Sequence, residues 1–495
     1  MELSKRGFIL KLISLLLLII YATVFLIRAK IYLDSDFGWG LRLGEIILKS
    51  GFPTSDPFSY TMPSYAYADH EWLIHIGMAK LYSLTGYTGL ALIFTLIAIG
   101  AILVVVWNSD FRFMPIQILF AGLVLLSYFG IRSQVITWLF FAVLCRSILD
   151  KKWWDKYKFF LPLLFLFWAN LHGGFIIGLI VLVVITIKRR KIPEILILLI
   201  SILVTLVNPY GLGLWKEVWI FVKDPYIRFF ILEWRSIVFA ITSVELLSVA
   251  YCWAFILHYR KKYEKHEILL AVLLFLAAFS STRNFPLFLI YALILIRKGI
   301  ANFMSDIAVN RLRISRFKTF WIIFFALTSF LALIQLWGDY EAGKSLSEDS
   351  YYPRLAVNYL TNHLPKGQIF SSYDWGGYLI WKLPQKRVFI DGRMSSMRQK
   401  NRAGESDYIF GEYMSLITSK TSLVKVFEKY KVDTVLLPRS WKDEKSKDIM
   451  QIYVSKFIKK LKNNNFKEIY QDRVAIIFTK KIPSSTAASW EEESE

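Results

Sequence analysis

Long stretches of this chain carry no charge. Residues 12–27, 88–107, 195–207 and 319–337 are uncharged and dominated by Leu, Ile, Phe, Val and Ala. Such runs approach or reach the roughly 20 apolar residues that cross a bilayer as a helix. Several of them in one chain exceed what a soluble core can bury. The composition agrees: 55% of the 495 residues are hydrophobic and only 20% charged, against about 25% charged in soluble domains. A soluble enzyme, a disordered chain and a fibre are disfavoured, and an α-helical polytopic membrane protein is expected.

A net charge of +22 would suggest nucleic acid in a soluble protein, but its location argues otherwise. Residues 338–495 hold 26 Lys+Arg and 20 Asp+Glu, a net of +6, whereas the first 337 hold 34 and 18, a net of +16. The excess belongs to the loops of the apolar part, where a positive-inside bias explains it and no nucleic-acid partner is needed. Cys145 and Cys252 both fall in apolar segments, so no disulfide framework is implied.

Lys5 and Arg6 precede an apolar run reaching about Ile27. The run is too long for a signal peptide and lacks a small-x-small cleavage site, so an uncleaved anchor is expected. Eleven crossings follow, near 8–29, 87–107, 113–130, 134–149, 158–170, 173–187, 193–207, 237–258, 267–281, 284–297 and 319–337. The fifth and sixth are read as a hairpin turning at His172-Gly173-Gly174, because both flanks are basic: Lys151, Lys152, Lys156 and Lys158 before, Lys188, Arg189, Arg190 and Lys191 after. With the N-terminus inside, inner loops carry about 21 Lys and Arg in about 59 residues and outer loops about 10 in about 94. The expected plan is a plasma (inner) membrane domain over 1–337 with a long outer loop at 30–86. An extracytoplasmic α/β domain over 338–482 and a disordered acidic end at 483–495 complete it.

Polar side chains at membrane depth are costly and usually functional or paired. Here they gather on the outer side: Asp34, Asp36, His70, Glu71, Arg132, Gln134, Asn170, His172, Asn208, Glu233, Arg235 and Arg283. Such one-sided clustering suggests a cavity opening outward. Asp34 and Asp36 follow the first crossing; a carboxylate there can deprotonate an acceptor hydroxyl, and the pair can share a divalent cation such as Mg or Mn. Adjacent acids can equally mark a wet helix end. The stretch Phe37 to Lys49 reads as a helix along the membrane interface, closed by a turn at Gly51. In DHEWLIHIG, His70 and His75 are five apart, which rules out the zinc-protease pattern; Glu71 and His75 would share a helix face. Arg283, between two apolar helices, suits an anion such as a lipid phosphate, or simply snorkels. His172 is a phosphate ligand, a base or a helix-end cap.

The tail alternates predicted strands (368–371, 387–391, 433–437, 474–479) with helices (375–382, 421–430, 447–462). It holds no GxGxxG and no phosphate-binding P-loop, so nucleotide binding is unsupported.

The ordered strings DSDFGWGLRLGEIIL, PTSDPFSYT, DHEWL, Arg132/Gln134, WANLHGGF, NPYG, EW, TRNFP, DWGGYLIW and FIDGR resemble a bacterial multi-pass family of the GT-C superfamily of membrane glycosyltransferases, over nearly the whole chain. The resemblance implies a polyprenyl-phosphate-linked sugar donor and transfer on the extracytoplasmic face. It implies a first-loop carboxylate as base or metal ligand, which maps to Asp36 or Asp34 with Glu71 as helper. Donor-phosphate or substrate contacts are assigned from the residues themselves: Arg283, His172 and Arg132, with Asn170, Gln134, Glu233 and Arg235 around them. Two rivals are a flippase of a lipid-linked glycan, which would want midplane polar residues and repeated halves, and a non-enzymatic scaffold, for which eleven crossings are excessive.

Overall fold

The computed structural model describes residues 2–224, 228, 231–239, 241–309, 314–400, 402–442 and 449–480. The acidic end at 483–495 lies outside the described residues.

In chain order the helices are α1 (Glu2–Ile31), α2 (Phe37–Ser50), α3 (Trp72–Val106), α4 (Met114–Ser127), α5 (Gln134–Leu149), α6 (Lys151–Tyr157), α7 (Leu161–Leu171), α8 (Phe175–Arg189), α9 (Ile192–Val204) and α10 (Leu212–Lys223). They continue as α11 (Ser243–His258), α12 (Lys265–Ser280), α13 (Phe285–Val309), α14 (Ile314–Ser345), α15 (Arg354–Asn362), α16 (Gly376–Lys382), α17 (Ile409–Ile417), α18 (Leu423–Tyr430) and α19 (Ile449–Asn463). Local sequence sets many of the starts. Proline opens α4, α7 and α9, where its missing N–H costs nothing. Capping boxes, Thr242 with Glu245 and Glu264 with Glu267, open α11 and α12. Gly86, at φ 64°, kinks α3.

Two compact units result: Met1–Tyr32, Asp69–Ile74 and Leu81–Gly343 form one; Leu33–Ala68, His75–Lys80 and Lys344–Glu495 form the other. In the first, every segment expected to cross is mostly helical. The stretches Gly7–Ile31 and Trp72–Val106 are each long and apolar enough to span a bilayer. Phe8, Leu12, Leu15, Leu16 and Ile19 on α1 and Ile195, Leu196, Leu199 and Leu203 on α9 are exposed. A surface so apolar belongs against lipid, and the chain is a membrane protein. Inside, α5 packs on α13, α1 on α4, and α7 on α9.

The second unit joins the first outer loop to the tail. Its sheet has the order β1-β2-β4-β3, with β1 (Gln368–Ser371) parallel to β2 (Val432–Pro438), and β4 (Ala475–Thr479) antiparallel to both β2 and β3 (Lys467–Gln471). Phe370 sits at the centre, its ring 4.8–5.7 Å from those of Phe389, Tyr413, Phe427 and Phe457. The strand expected at 387–391 is not in this sheet. Val388 instead bonds the first loop, donating to the Phe58 carbonyl at 2.9 Å and accepting from the Tyr60 N–H at 3.1 Å. The sheet's fourth member is β3, whose Lys467 and Glu468 sit exposed on an edge and hide the strand pattern. Helix α2 forms where expected, but its apolar face (Phe37, Leu41, Ile47) is buried in protein. It lies against α16, and two glycines permit the approach: a Cβ on Gly38 would fall 2.2 Å from the Gly377 carbonyl oxygen.

Candidate functional site

In the first unit, segments far apart in sequence end at one place. Trp72 Nε1–H donates to Asn170 Oδ1 at 2.7 Å, and Asn170 Nδ2 donates to the carbonyls of Leu166 and Val207. Asn170 thereby ties DHEW and WANLHGG to the start of NPYG. The Glu233 carbonyl accepts both the Ser281 and Thr282 hydroxyls at 3.0 Å, and Thr282 N–H donates to the Arg235 carbonyl, tying EW to STRN.

Charged side chains meet where these segments end. Glu233 lies between two arginines, Oε2 3.0 Å from Arg132 Nη1 and Oε1 3.3 Å from Arg283 Nη1. Burial would raise its carboxyl, but Arg132 and Arg283 outweigh that and hold it below the usual carboxylate range. Arg283 also lies over the Trp234 ring at 5.3 Å. Its Nη2 is 3.1 Å from His172 Nε2. Glu71 Oε1 is 3.7 Å from the same His172 nitrogen and 3.6 Å from His70 Nε2.

Thr137 and Gly174 hold the opposite edge of His172. Trp168 Nε1–H donates to Thr137 Oγ1 at 2.8 Å, so the Thr137 hydroxyl proton is available for His172 Nδ1, 2.6 Å away. Gly174 N–H also donates to Nδ1 at 3.0 Å. Arg283 Nη2, which can only donate, faces Nε2 at 3.1 Å, so donors approach both ring nitrogens and the network does not select one tautomer. Burial, ahead of the nearby arginines and only partly offset by Glu71, lowers the His172 pKa to about 3. The ring is neutral at physiological pH, and its Nε2 edge faces Arg283 Nη2. The Arg132 and Arg283 guanidinium groups, converging on Glu233, suit an anionic oxygen. Gly174 is required here: a Cβ on it would sit 2.7 Å from Thr137 Oγ1 and 2.9 Å from His172 Nδ1.

Of the residues singled out from sequence, Glu71, Arg132, His172, Glu233 and Arg283 thus gather in one cluster. Asn170 braces it, and Arg235 contributes a backbone carbonyl. Gln134 is the first residue of α5, and its Oε1 is buried without a hydrogen-bond partner among the described residues. Thr137 was missed; a threonine within an apolar helix gives no signal.

Asp34 and Asp36 belong to the second unit. Asp34 Oδ1 accepts the Asp36 N–H at 2.9 Å, and Asp36 Oδ1 accepts Trp39 Nε1–H at 2.9 Å. Gly392 of the tail lies so close that a Cβ there would fall 2.4 Å from Asp36 Oδ1. Beyond it, Arg393 donates twice to Asp391 (2.8 and 2.7 Å) and once to Asp56 (2.8 Å), with its guanidinium over the rings of Phe58, Tyr67 and Trp39. His75 packs edge-on against Trp39 at 4.9 Å. Among the described residues no three His, Cys, Asp or Glu side chains come together to hold a metal. Asp34 and Asp36 would suffice for a cation only with water and substrate oxygens completing its shell, as Mg2+ accepts.

No family model matches the sequence, and no curated protein matches it. Among solved structures, the chain is similar to ArnT from Cupriavidus metallidurans bound to undecaprenyl phosphate, at 12% identity over 94% of this chain and 98% of that one, with a TM-score of 0.50. It is also similar to the archaeal oligosaccharyltransferase AglB from Archaeoglobus fulgidus, in complex with an inhibitory peptide and a dolichol-phosphate. There the identity is 14% over 95% of this chain and 75% of that one, with a TM-score of 0.54. Both are GT-C superfamily membrane glycosyltransferases. At such identities the likeness is one of fold.

Proposed function

We propose that this protein is a membrane glycosyltransferase that moves a sugar from a polyprenyl-phosphate-linked donor to an acceptor hydroxyl on the extracytoplasmic face of the membrane. The observation that carries the reading is the convergence of Arg132 and Arg283 on Glu233, with His172 Nε2 against Arg283, in a fold shared with a protein solved with undecaprenyl phosphate and another solved with dolichol-phosphate.

The donor's phosphate would rest against Arg283 and Arg132 with His172 beside them, and its prenyl tail among the helices. Asp36, oriented by the Trp39 indole, would take the proton of the acceptor hydroxyl, with Asp34 beside it and Glu71 as helper. The hydroxyl oxygen bonds to the anomeric carbon as the bond from that carbon to the phosphate oxygen breaks. The electron pair leaves on the lipid phosphate, where fixed arginines stabilise the developing charge. Removing one preorganised donor of this kind costs about 10²–10³ in kcat. Glu233 would hold both guanidinium groups in place before substrate arrives. No step above requires a metal; a cation on Asp34 and Asp36 would add Lewis-acid help at the phosphate.

The test is transfer of labelled sugar by purified protein in nanodiscs from a panel of polyprenyl-phosphate sugars, with release of polyprenyl phosphate as the readout. Wild-type turnover with loss in Asp36→Asn and Arg283→Ala is expected. Full activity in Asp34→Asn/Asp36→Asn would remove the proposed base. Movement of lipid-linked label across a vesicle without sugar transfer would favour the flippase reading.

A further inference from the structure

The helix pair α5 and α13 carries arginines at both ends with one spacing. Arg132 precedes α5 and Arg146 lies 14 residues on; Arg283 precedes α13 and Arg297 lies 14 residues on. At 1.5 Å per residue the two levels are about 21 Å apart. The first level shares Glu233. The second shares Asp150, whose Oδ2 is 3.1 Å from Arg297 Nη2 and 3.5 Å from Arg146 Nη2. Both helices therefore run the same way, and each end of the pair holds an arginine–carboxylate–arginine triad.

The second triad is unbalanced. Asp150 Oδ1 is already taken by the N–H groups of Lys152 and Trp153, and its Oδ2 serves two cations. Arg146 is fully buried, and none of its three guanidinium nitrogens has a hydrogen-bond partner among the described residues. It also lies over the Trp153 ring at 5.9 Å. Most neighbouring acids at this end already have a cation: Glu267 pairs with Lys298, Glu264 with Lys188 and Glu194 with Lys158, while Asp155 acts on Arg189. Arg189, which covers the Trp154 ring at 3.8 Å, adds another positive charge. A buried guanidinium with unmade hydrogen bonds is costly, and an oxyanion would complete it. Arg297 and Asp150, each partly exposed, leave a way in from the rim.

We propose that Arg146 and Arg297 hold a phosphate oxyanion at this end of the α5–α13 pair, a second phosphate site distinct from the Glu233 cluster. The same chemistry has two sources: the headgroup of an anionic phospholipid in the adjacent leaflet, or free phosphate.

The test measures thermal unfolding and native mass spectra of the full-length protein in detergent with phosphatidylglycerol, phosphatidylcholine or inorganic phosphate. Phosphatidylglycerol is expected to raise the melting temperature of the wild type and to remain bound at one copy, while phosphatidylcholine does neither; this identifies a lipid headgroup. The same shift from inorganic phosphate alone identifies free phosphate. Arg297→Gln, at the rim, is expected to weaken the response at least about tenfold. Arg146→Gln does the same wherever it folds. A response that survives Arg297→Gln, or that Lys151→Gln/Lys152→Gln removes equally, or no response to either anion, overturns the proposal.

Discussion

Arg393 Nη2 meets Asp56 Oδ1 at 2.8 Å across 337 residues of chain, with both side chains buried. Burial works against the guanidinium's charge, yet Asp391 and Asp56 outweigh it and raise its pKa. The same guanidinium stacks on Trp39, whose indole holds Asp36. The tail's FIDGR string therefore fixes the first loop and, through Trp39, the proposed base.

Removing one partner of such a pair leaves a buried charge uncompensated, at about 3–5 kcal/mol. Asp56→Asn or Arg393→Met is expected to lower the melting temperature and to open residues 33–68 to protease. Sugar transfer should fall with it. A variant with the wild-type melting temperature and protease pattern would show that the loop is held by other contacts.

Fold and site differed in how much the sequence disclosed. Uncharged runs and basic flanks located the helices of the first unit, because lipid demands long apolar segments and leaves charges only at their ends. Arg132, His172, Glu233 and Arg283 stood out for the same reason: each is expensive next to an apolar helix. The partition into units was hidden. Apolar residues of α2 look the same whether they face lipid or α16, and only the Gly38–Gly377 crossing distinguishes the two. The 387–391 segment had strand-like residues, but its hydrogen bonds go to Phe58 and Tyr60, partners no local pattern names. Asp56 and Asp391 read as turn residues because their joint partner is remote.

Gly174 tests whether the placement of the His172 ring matters. In Gly174→Ala the added methyl would collide with Thr137 Oγ1 and His172 Nδ1, pushing the ring from the donors that fix it. The expected result is a folded protein with kcat reduced by about 10²-fold or more, as misplacement of about 1 Å can cause. Steady-state rates and the melting temperature, measured together, separate this from general instability.

Acid should weaken the cluster through two groups acting in the same direction. His172 has its folded pKa lowered to about 3, so between that value and about 6.5 the unfolded chain binds more protons and stability falls as pH drops. Glu233, held below its usual range by Arg132 and Arg283, contributes stability that is present above its unfolded pKa and lost as pH falls through the folded one. Wild-type protein is expected to keep a level melting temperature above about pH 6.5 and to lose stability below it. His172→Asn should flatten the upper part of that decline. An identical decline in both proteins would show that His172 is not buried neutral.

Glu233→Gln separates binding from turnover at the proposed phosphate site. The carboxylate competes with an incoming phosphate for Arg132 and Arg283 while holding both guanidinium groups in register. Neutralising it removes the competitor, so polyprenyl phosphate should bind as tightly as before or more tightly. It also removes the clamp that places the donors for the transition state, so kcat should fall by about 10²-fold, the scale of one oxyanion donor. A lower KM with a lower kcat is the signature of a group that opposes ground-state binding while supporting the transition state. If KM rises while kcat is unchanged, Glu233 would instead be contacting the substrate directly, and the two arginines would not need it to be aligned.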